Sequence, residues 1–492
     1  MRNGIGVAGW RMAGLRLSVL LALCAASAAA APLTIRVATY NASLNRPASG
    51  QLATDLGTPN NAQAKQVAEI VQRVRPDILL INEFDYDAAN PDLAATLFHD
   101  NYLAVAQNGQ PALDFPHRWT GPSNTGVNPA DDPDLSPAQR HGYDFDNANG
   151  AVVAPGTTDT TRDRYGNDCY GFGWFPGQYG LAVFSRFPLQ AESVRTWRRF
   201  LWQSMPGALL PNLPGHPGLA DWYAADEKAI FRLSSKTHAI VPIALPGDHL
   251  FHLLVSHPTP PSFDGTEDRN GKRNHDEIRL WADILKNAGY LIDDAGAPGG
   301  LPEHRRFVIL GDMNADPTKG DSVNHAILQL INHERINGSF TPQSPGGGVN
   351  TAAFVSQSLR VDHVLPSKEG LRIAGGGVFW PPGTDPASPL IAASDHRLVW
   401  LDLVVEPILA TAVVDLAARP DGETTELSWT GEINASLSYS LQTSTDLVTW
   451  QPVQDPLSVD GESRRFSATV SAGLPGAPRF YRVVVNLDAP SG

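Results

Sequence analysis

The chain has 492 residues, a formal charge of −14 at neutral pH and a hydrophobic fraction of 42%. At roughly 150 residues per domain the length holds two or three domains, and the apolar fraction suffices for a large core, which excludes general disorder and fibrous folds. With 44 Gly and 40 Pro against four Met the chain is loop-rich rather than a helical bundle, and its acidic balance excludes a basic coat for nucleic acid while leaving room for a small positive cleft.

Residues 1–30 read as a leader. Arg2, Arg11 and Arg16 precede the apolar run 17–23 and the alanine-rich stretch 25–31, the three regions of a secretory signal peptide. The competing reading, a membrane anchor, needs about 20 apolar residues, more than this run holds. No later stretch is long enough to span a membrane either. The protein is therefore expected to be secreted or periplasmic. Cys24 leaves with the leader and Cys169 remains, so no internal disulfide is expected.

Residues 31–406 alternate strand and helix patterns. Residues 33–40 alternate as a strand. Over 61–75, Ala64, Val67, Ala68, Val71 and Val74 form one helical face, which Pro76 ends. The apolar run 78–81 predicts a buried strand. A Gly-, Pro-, Asp- and Asn-rich stretch from 108 to 177 is too long for an ordinary connection and is expected to carry function. Further strands are predicted at 179–184, 229–240, His249–Ser256, 307–310, 359–365 and 397–405, and a helix at 277–287 capped by Asn274.

Composition shifts at Glu406-Pro407. Residues 407–492 read as a small β-sandwich, with strands at 425–429, 439–443 and 479–485 and turns at Pro420-Asp421-Gly422 and Asp460-Gly461. Trp429, Trp450 and Tyr481 are its expected core. The segment resembles fibronectin type III-like modules and offers no catalytic constellation, so a surface or matrix attachment module is the expectation.

The chemistry sits at the strand ends. The first strand runs out at Asn41, the run 78–81 leads to Glu83, and His249–Ser256 leads to His257. The strand 307–310 leads to Gly311-Asp312-Met313-Asn314, 359–365 carries Asp362, and Ser394-Asp395-His396 opens the last strand. Residues two apart on an extended chain face the same way, so Asp312 and Asn314 address one point. Oxygen donors without a Cys pair or compact His cluster suit Mg²⁺, Mn²⁺ or Ca²⁺ better than Zn²⁺. Asn41-Ala42-Ser43 also spells a glycosylation sequon, read as coincidental.

This order of residues resembles the endonuclease/exonuclease/phosphatase superfamily over about residues 33–405. The phrases Arg36-Val37-Ala38-Thr39-Tyr40-Asn41, Pro76-Asp77-Ile78-Leu79, Gly180-Leu181-Ala182-Val183-Phe184-Ser185-Arg186 and Gly311-Asp312-Met313-Asn314 support it. The resemblance implies an α/β fold, a four-layer α-β-β-α sandwich of two mixed sheets. It also implies that Glu83 is the principal metal ligand, helped by Asn41 and Asp395. Asp312 would orient or deprotonate the attacking water, and Asn314 would hold a phosphoryl oxygen. His396, oriented by Asp362, would be the general base or a phosphate contact, and His257 a phosphate contact or leaving-group acid. The implied activity is divalent-metal-dependent hydrolysis of a phosphate ester, with no stable protein partner. A nuclease-like phosphodiesterase comes first, and a phosphomonoesterase or sphingomyelinase-like enzyme second. A catalytically silent binding protein on the same fold is the competing class.

Four further segments have two readings each. In 230–238, strand alternation places Arg232, Ser234, Lys236 and His238 opposite Phe231 and Leu233, a face for an anionic substrate or for solvent. The segment 264–277, with Asp268, Arg269, Asn270, Arg273, Asn274 and His275, is a phosphate-binding loop or a solvated loop feeding a helix. Asp144, Asp146 and Asn149 hint at a calcium loop whose spacing departs from the EF-hand. The apolar 196–223, with Trp197, Phe200, Leu201, Trp202, Leu209, Leu210 and Trp222, touches lipid or packs inside.

Overall fold

The computed structural model describes residues 33–213, 221–247 and 249–406, and beyond them parts of 414–487, mostly strands. The leader read at 1–30 lies outside the described residues. One compact unit spans Ala31–Ile408, and residues 409–492 fall in another.

In chain order the strands of the larger unit begin with β1 (Thr34–Leu44), β2 (Ile78–Phe84), β3 (His117–Thr120), β4 (Leu181–Ser185) and β5 (Arg195–Thr196). Next come β6 (His238–Leu245), β7 (His249–Ser256), β8 (Arg306–Asp312) and the short pair β9 (Ala352–Ala353) and β10 (Ser358–Leu359). The last three are β11 (Asp362–Pro366), β12 (Leu371–Val378) and β13 (Val399–Val405). Six strands pair in the order β12-β13-β1-β2-β4-β3, and five in the order β11-β8-β7-β6-β5. Both sheets are mixed, because β1–β2 and β7–β8 are parallel and the remaining pairs antiparallel.

Alternation along each strand sets the layers. Ile35, Val37, Ile78, Leu80 and Val183 of the first sheet meet Val241, Leu253, Val255, Val308 and Leu310 of the second. The intervening residues Ala38, Tyr40, Leu79 and Ile81 face the helix Ala62–Val74 through Val67, Ile70 and Val71. On the far side Leu254, Phe307 and Ile309 pack on the helix Arg269–Leu285 through Ile278, Trp281 and Leu285. Each large apolar side chain buried in these seams contributes roughly 2–3 kcal/mol. The result is the four-layer α-β-β-α sandwich.

The helix Ala62–Val74 starts where Asn61 Oδ1 accepts the Ala64 N–H at 3.0 Å, and it ends at Arg75 in the left-handed region, φ 57°, just before Pro76.

Two expected elements differ. The strand predicted over 229–240 begins only at His238, and residues 230–237 are irregular and buried on both sides. Side chains from elsewhere satisfy this backbone in place of a ladder. Asn124 Nδ2 donates to Ser234 O at 2.7 Å, Arg273 donates to Leu233 O at 2.8 Å, and Glu277 Oε1 accepts the Ser235 N–H at 2.6 Å. The helix predicted from Glu277 begins at Arg269, and Asn274 is not its cap. Its amide instead ties two loops, donating to Thr259 O at 2.9 Å and Met313 O at 3.0 Å. In the 196–223 segment, of which 214–220 lie outside the described residues, Trp197, Phe200 and Trp202 are buried, while Leu201, Leu209, Leu210 and Trp222 are half-buried.

In the second unit the described residues form a four-stranded and a three-stranded antiparallel sheet. The side chains of Trp429, Trp450 and Tyr481 lie outside the described residues. Among the described residues, no helix is long and apolar enough to cross a membrane.

Candidate active site

Antiparallel pairing of β8 with β11 sets Asp312 directly opposite Asp362. Like charges across a strand pair repel, and His396 lies between these two. Its Nδ1 is 2.9 Å from Asp362 Oδ2 and its Nε2 is 3.6 Å from Asp312 Oδ2. Burial alone would depress the His396 pKa, but the Asp362 and Asp312 carboxylates overcome it and push it up to about 10. The pair of carboxylates thus favours the protonated form of His396.

From the first sheet, Asn41 Nδ2 donates to Glu83 Oε1 and to Asp312 Oδ2, each at 3.0 Å. Asn45 Nδ2 donates to the other Glu83 oxygen at 2.8 Å. His257, just past β7, brings its Nε2 to 3.4 Å from Asp312 Oδ2. Burial raises the Asp312 pKa, yet the charges of His396 and His257 and the Asn41 hydrogen bond hold it well below the usual carboxylate range. Burial lowers the pKa of His257, and Lys236 nearby lowers it further, against the opposing pull of Asp312. The surroundings thus shift the two histidines that flank Asp312 in opposite directions.

Backbone geometry fixes these side chains. Glu83 and Asn314 both hold left-handed φ values, 57° and 51°, uncommon for residues with a side chain. Gly311 has φ 148°, and a Cβ there would lie 2.1 Å from Ser256 O, so only glycine lets β8 pass so close to β7. The Asn314 N–H donates to Asp312 Oδ1 at 2.9 Å and its side chain to Pro258 O at 3.1 Å. Asp395 is exposed at the rim, with Oδ1 3.5 Å from Ser43 Oγ. Asn41 is 1% exposed, which withdraws its sequon from any glycosylating enzyme.

Glu83 and Asp312 share the Asn41 amide donor, with His257, His396 and Lys236 nearby and, among the described residues, no cysteine partner. That donor set fits a hard divalent cation. Of the three ligands the resemblance implies, Glu83 and Asn41 are in contact, whereas the Asp395 carboxylate reaches only Ser43 among the described residues, and the donor atoms that converge most closely here are those of Asp312, Asp362 and His396.

The five expected substrate contacts separate into two groups. Lys236, Arg269 and Arg273 line a cavity together with Glu83 and His257. The Arg273 guanidinium, however, is spent on the carbonyls of Leu233, Tyr170 and Arg232. Arg232 and Asn274 lie away from it. Arg232 is 3% exposed and ion-paired with Asp132 and Asp134, because the irregular course of 230–237 turns it into the 108–178 insertion. The supposed calcium loop brings Asp144, Asp146 and Asp168 together, but these carboxylates accept backbone N–H groups that close the loop, from Ala148, Gly150, Phe145 and Val152.

Sequence reading missed Asn45, Thr351 and Asn82. Thr351 Oγ1 accepts the Asp362 N–H at 3.0 Å. Asn82 Oδ1 accepts the Asp312 N–H at 3.3 Å, and its amide reaches Ser256 O at 3.3 Å, which ties the two sheets beneath the site. A polar residue inside the apolar run before Glu83 was the available signal for Asn82.

The Endonuclease/Exonuclease/phosphatase family model matches residues 38–396. No curated protein and no solved structure matched the chain. The matched span runs from the strand carrying Asn41 to His396, across both sheets and every strand-end residue described above. The chain belongs to the endonuclease/exonuclease/phosphatase family.

Proposed function

We propose that the protein is a secreted, divalent-metal-dependent phosphoesterase, and within that class a nuclease-like phosphodiesterase. The family is hydrolytic, and its substrates are phosphate esters. The observation that carries the reading is geometric: Asp312 Oδ2 lies 3.6 Å from His396 Nε2 and 3.4 Å from His257 Nε2, and it accepts the Asn41 amide at 3.0 Å. A cation held by Glu83, Asn41 and Asp395 would neutralise phosphoryl charge when bound.

The chain's own groups take the other roles. Asp312 orients the attacking water, a role that suits a carboxylate held well below its usual range better than proton transfer does. His396 is held by Asp362 and shifted towards its protonated form by the carboxylates on either side, which suits a phosphoryl contact better than a general base. His257 lies 3.4 Å from the same carboxylate and takes the leaving-group side. The sphingomyelinase-like alternative loses the apolar 196–223 segment that suggested it, since Trp197, Phe200 and Trp202 are buried. Secretion rests on the leader pattern of residues 1–30.

The test is a substrate panel of single- and double-stranded nucleic acid, small phosphodiesters and monoesters, and phospholipid vesicles, each with Mg²⁺, Mn²⁺ and Ca²⁺. Diesters should be hydrolysed fastest, and Asp312→Asn should cut turnover by orders of magnitude without changing the circular dichroism spectrum. Silence across the panel would end the enzymatic reading.

A further inference from the structure

The first sheet delivers its part of the site on two segments, the end of β1 with Asn41 and the turn entering β13 with Asp395 and His396. Neither segment is regular. β1 loses register against β2 between Asn41 and Leu44, and Ser43 holds a left-handed φ of 48°. A bulge of this kind re-aims the side chains around it. Here it brings the Ser43 N–H to Asn41 Oδ1 at 3.2 Å, which turns the other end of that amide towards Glu83 and Asp312. The turn before β13 is stiffened from within, since Arg397 Nη1 donates to Ser394 O at 2.8 Å and to His396 O at 2.7 Å. It shifts as one piece, and His396 moves with it.

One side chain from outside the site holds both segments. Gln63 is the second residue of the helix Ala62–Val74 and is half-buried. Its Nε2 donates to Ser43 O at 2.8 Å, Ala393 O at 3.0 Å and Ala42 O at 3.3 Å. A primary amide has two N–H donors, so two of the three acceptors share one. Ala393 directly precedes Ser394, whose hydroxyl is fully used. That hydroxyl donates to Asn41 O at 2.7 Å, lies 3.1 Å from Ser43 Oγ, and accepts the His396 N–H at 3.0 Å. The helix that carries Gln63 is fixed on the sheet by Val67, Ile70 and Val71. The Gln63 amide therefore ties both segments to a packed layer.

We propose that Gln63 is a positioning residue of the active site. Its amide clamps the bulge after Asn41 to the turn before Ser394, and so sets the Asn41 amide and the His396 ring against Asp312. This rests on the phosphoesterase reading above and gives the same site a residue that touches none of its reacting groups.

Two replacements of Gln63 pull helix stability and the clamp in opposite directions. Gln63→Glu keeps the shape and suits the first turn of a helix, where negative charge is favoured, but it has no N–H to donate. Gln63→Lys keeps donors at similar reach and is the poorer residue at that helix end. With bis(p-nitrophenyl) phosphate and Mn²⁺ as the probe, Gln63→Glu should lose at least about tenfold in kcat with KM within about twofold of the wild type, since a displacement of about 1 Å can cost roughly a hundredfold. Gln63→Lys should recover most of that loss. Asn61→Ala, which removes the cap of the same helix, should lower the urea midpoint and leave kcat unchanged. A Gln63→Glu protein as fast as the wild type, a Gln63→Lys protein no faster than Gln63→Glu, or rates that follow the urea midpoints across the three variants would overturn the clamp while the phosphoesterase reading stood. Hydrogen–deuterium exchange reads the clamp without turnover. In Gln63→Glu, peptides covering 41–45 and 393–397 should exchange faster, and the helix 62–74 no faster than in the wild type. If no phosphate ester is cleaved, the phosphoesterase reading fails and this exchange decides alone. The stated pattern supports the clamp, and unchanged exchange or a change confined to the helix refutes it.

Discussion

Replacing Arg232 by methionine strands the Asp132 carboxylate in the interior. The guanidinium Nη2 lies 2.5 Å from Asp132 Oδ2, with the two side chains only 3% and 2% exposed. It also reaches Asp134 at 3.2 Å, donates to Asn124 Oδ1 at 2.9 Å, and sits 4.2 Å above the Tyr170 ring. Removing one partner of a pair this deeply buried costs about 3–5 kcal/mol, because the remaining charge has neither water nor counter-ion. Against a total of roughly 5–15 kcal/mol for a typical domain, that is a severe loss. Arg232→Met/Asp132→Asn removes both charges and should recover most of it. The assay is urea unfolding of the wild type and both variants, with KM for a diester measured alongside. An arginine that binds substrate would leave stability intact and raise KM. A single variant destabilised by less than about 1 kcal/mol, or a double variant no more stable than the single, would refute the structural role.

Asp362→Asn takes from His396 the carboxylate that holds its Nδ1, and kcat should fall by about 10²–10⁴-fold. Because that carboxylate raises the His396 pKa, its loss should move the alkaline limb of the pH–rate profile to lower pH, and an unmoved limb would contradict the pairing. Exhaustive chelation should abolish activity and Mg²⁺ or Mn²⁺ restore it, without any need for Zn²⁺. Full turnover in the metal-free protein would remove Glu83, Asn41 and Asp395 from the ligand role. His238 is buried and uncharged, its Nε2 donating to Glu277 O at 2.9 Å, and burial pushes its pKa down from 6.5 to about 4. Its stability contribution is complete above 6.5 and is lost as pH falls towards 4. Between about pH 7 and pH 5 the wild type should therefore lose about 2 kcal/mol more than His238→Gln, as read from urea midpoints at each pH.

Asn41, Glu83, His257 and Asp312 were legible because each interrupts or ends an apolar run with a polar group, and a run of that kind is a buried strand. What the pattern lacked was register. That Asp312 faces Asp362 across β8 and β11 depends on pairing between distant segments, and no local signal encodes it. Residues 230–237 were misread for the same reason. Their polar and apolar residues alternate, but Asn124, Arg273 and Glu277 arrive from far along the chain to satisfy a backbone with no strand neighbours. Asn274 has the right chemistry for a helix cap and is used as a bridge between two loops, a choice that local sequence does not distinguish. Asn45 carries no pattern at all, and only the position of Glu83 reveals its use.

The reach of the site along the chain also acts as a clock. Asn41 meets a partner 271 residues later at Asp312, and Ser43 meets Ser394, 351 residues on. Contacts of such separation form late in folding, since the intervening loop must close first. A growing or partly folded chain that lacks residues 394–396 holds Asn41 and Glu83 but has no His396 to set between its two aspartates. The candidate site is thus incomplete until residues 394–396 are in place. Asp312 meets His396 only when the last strand of the first sheet docks beside the first, so the candidate site and the closed sheet are completed by the same contact.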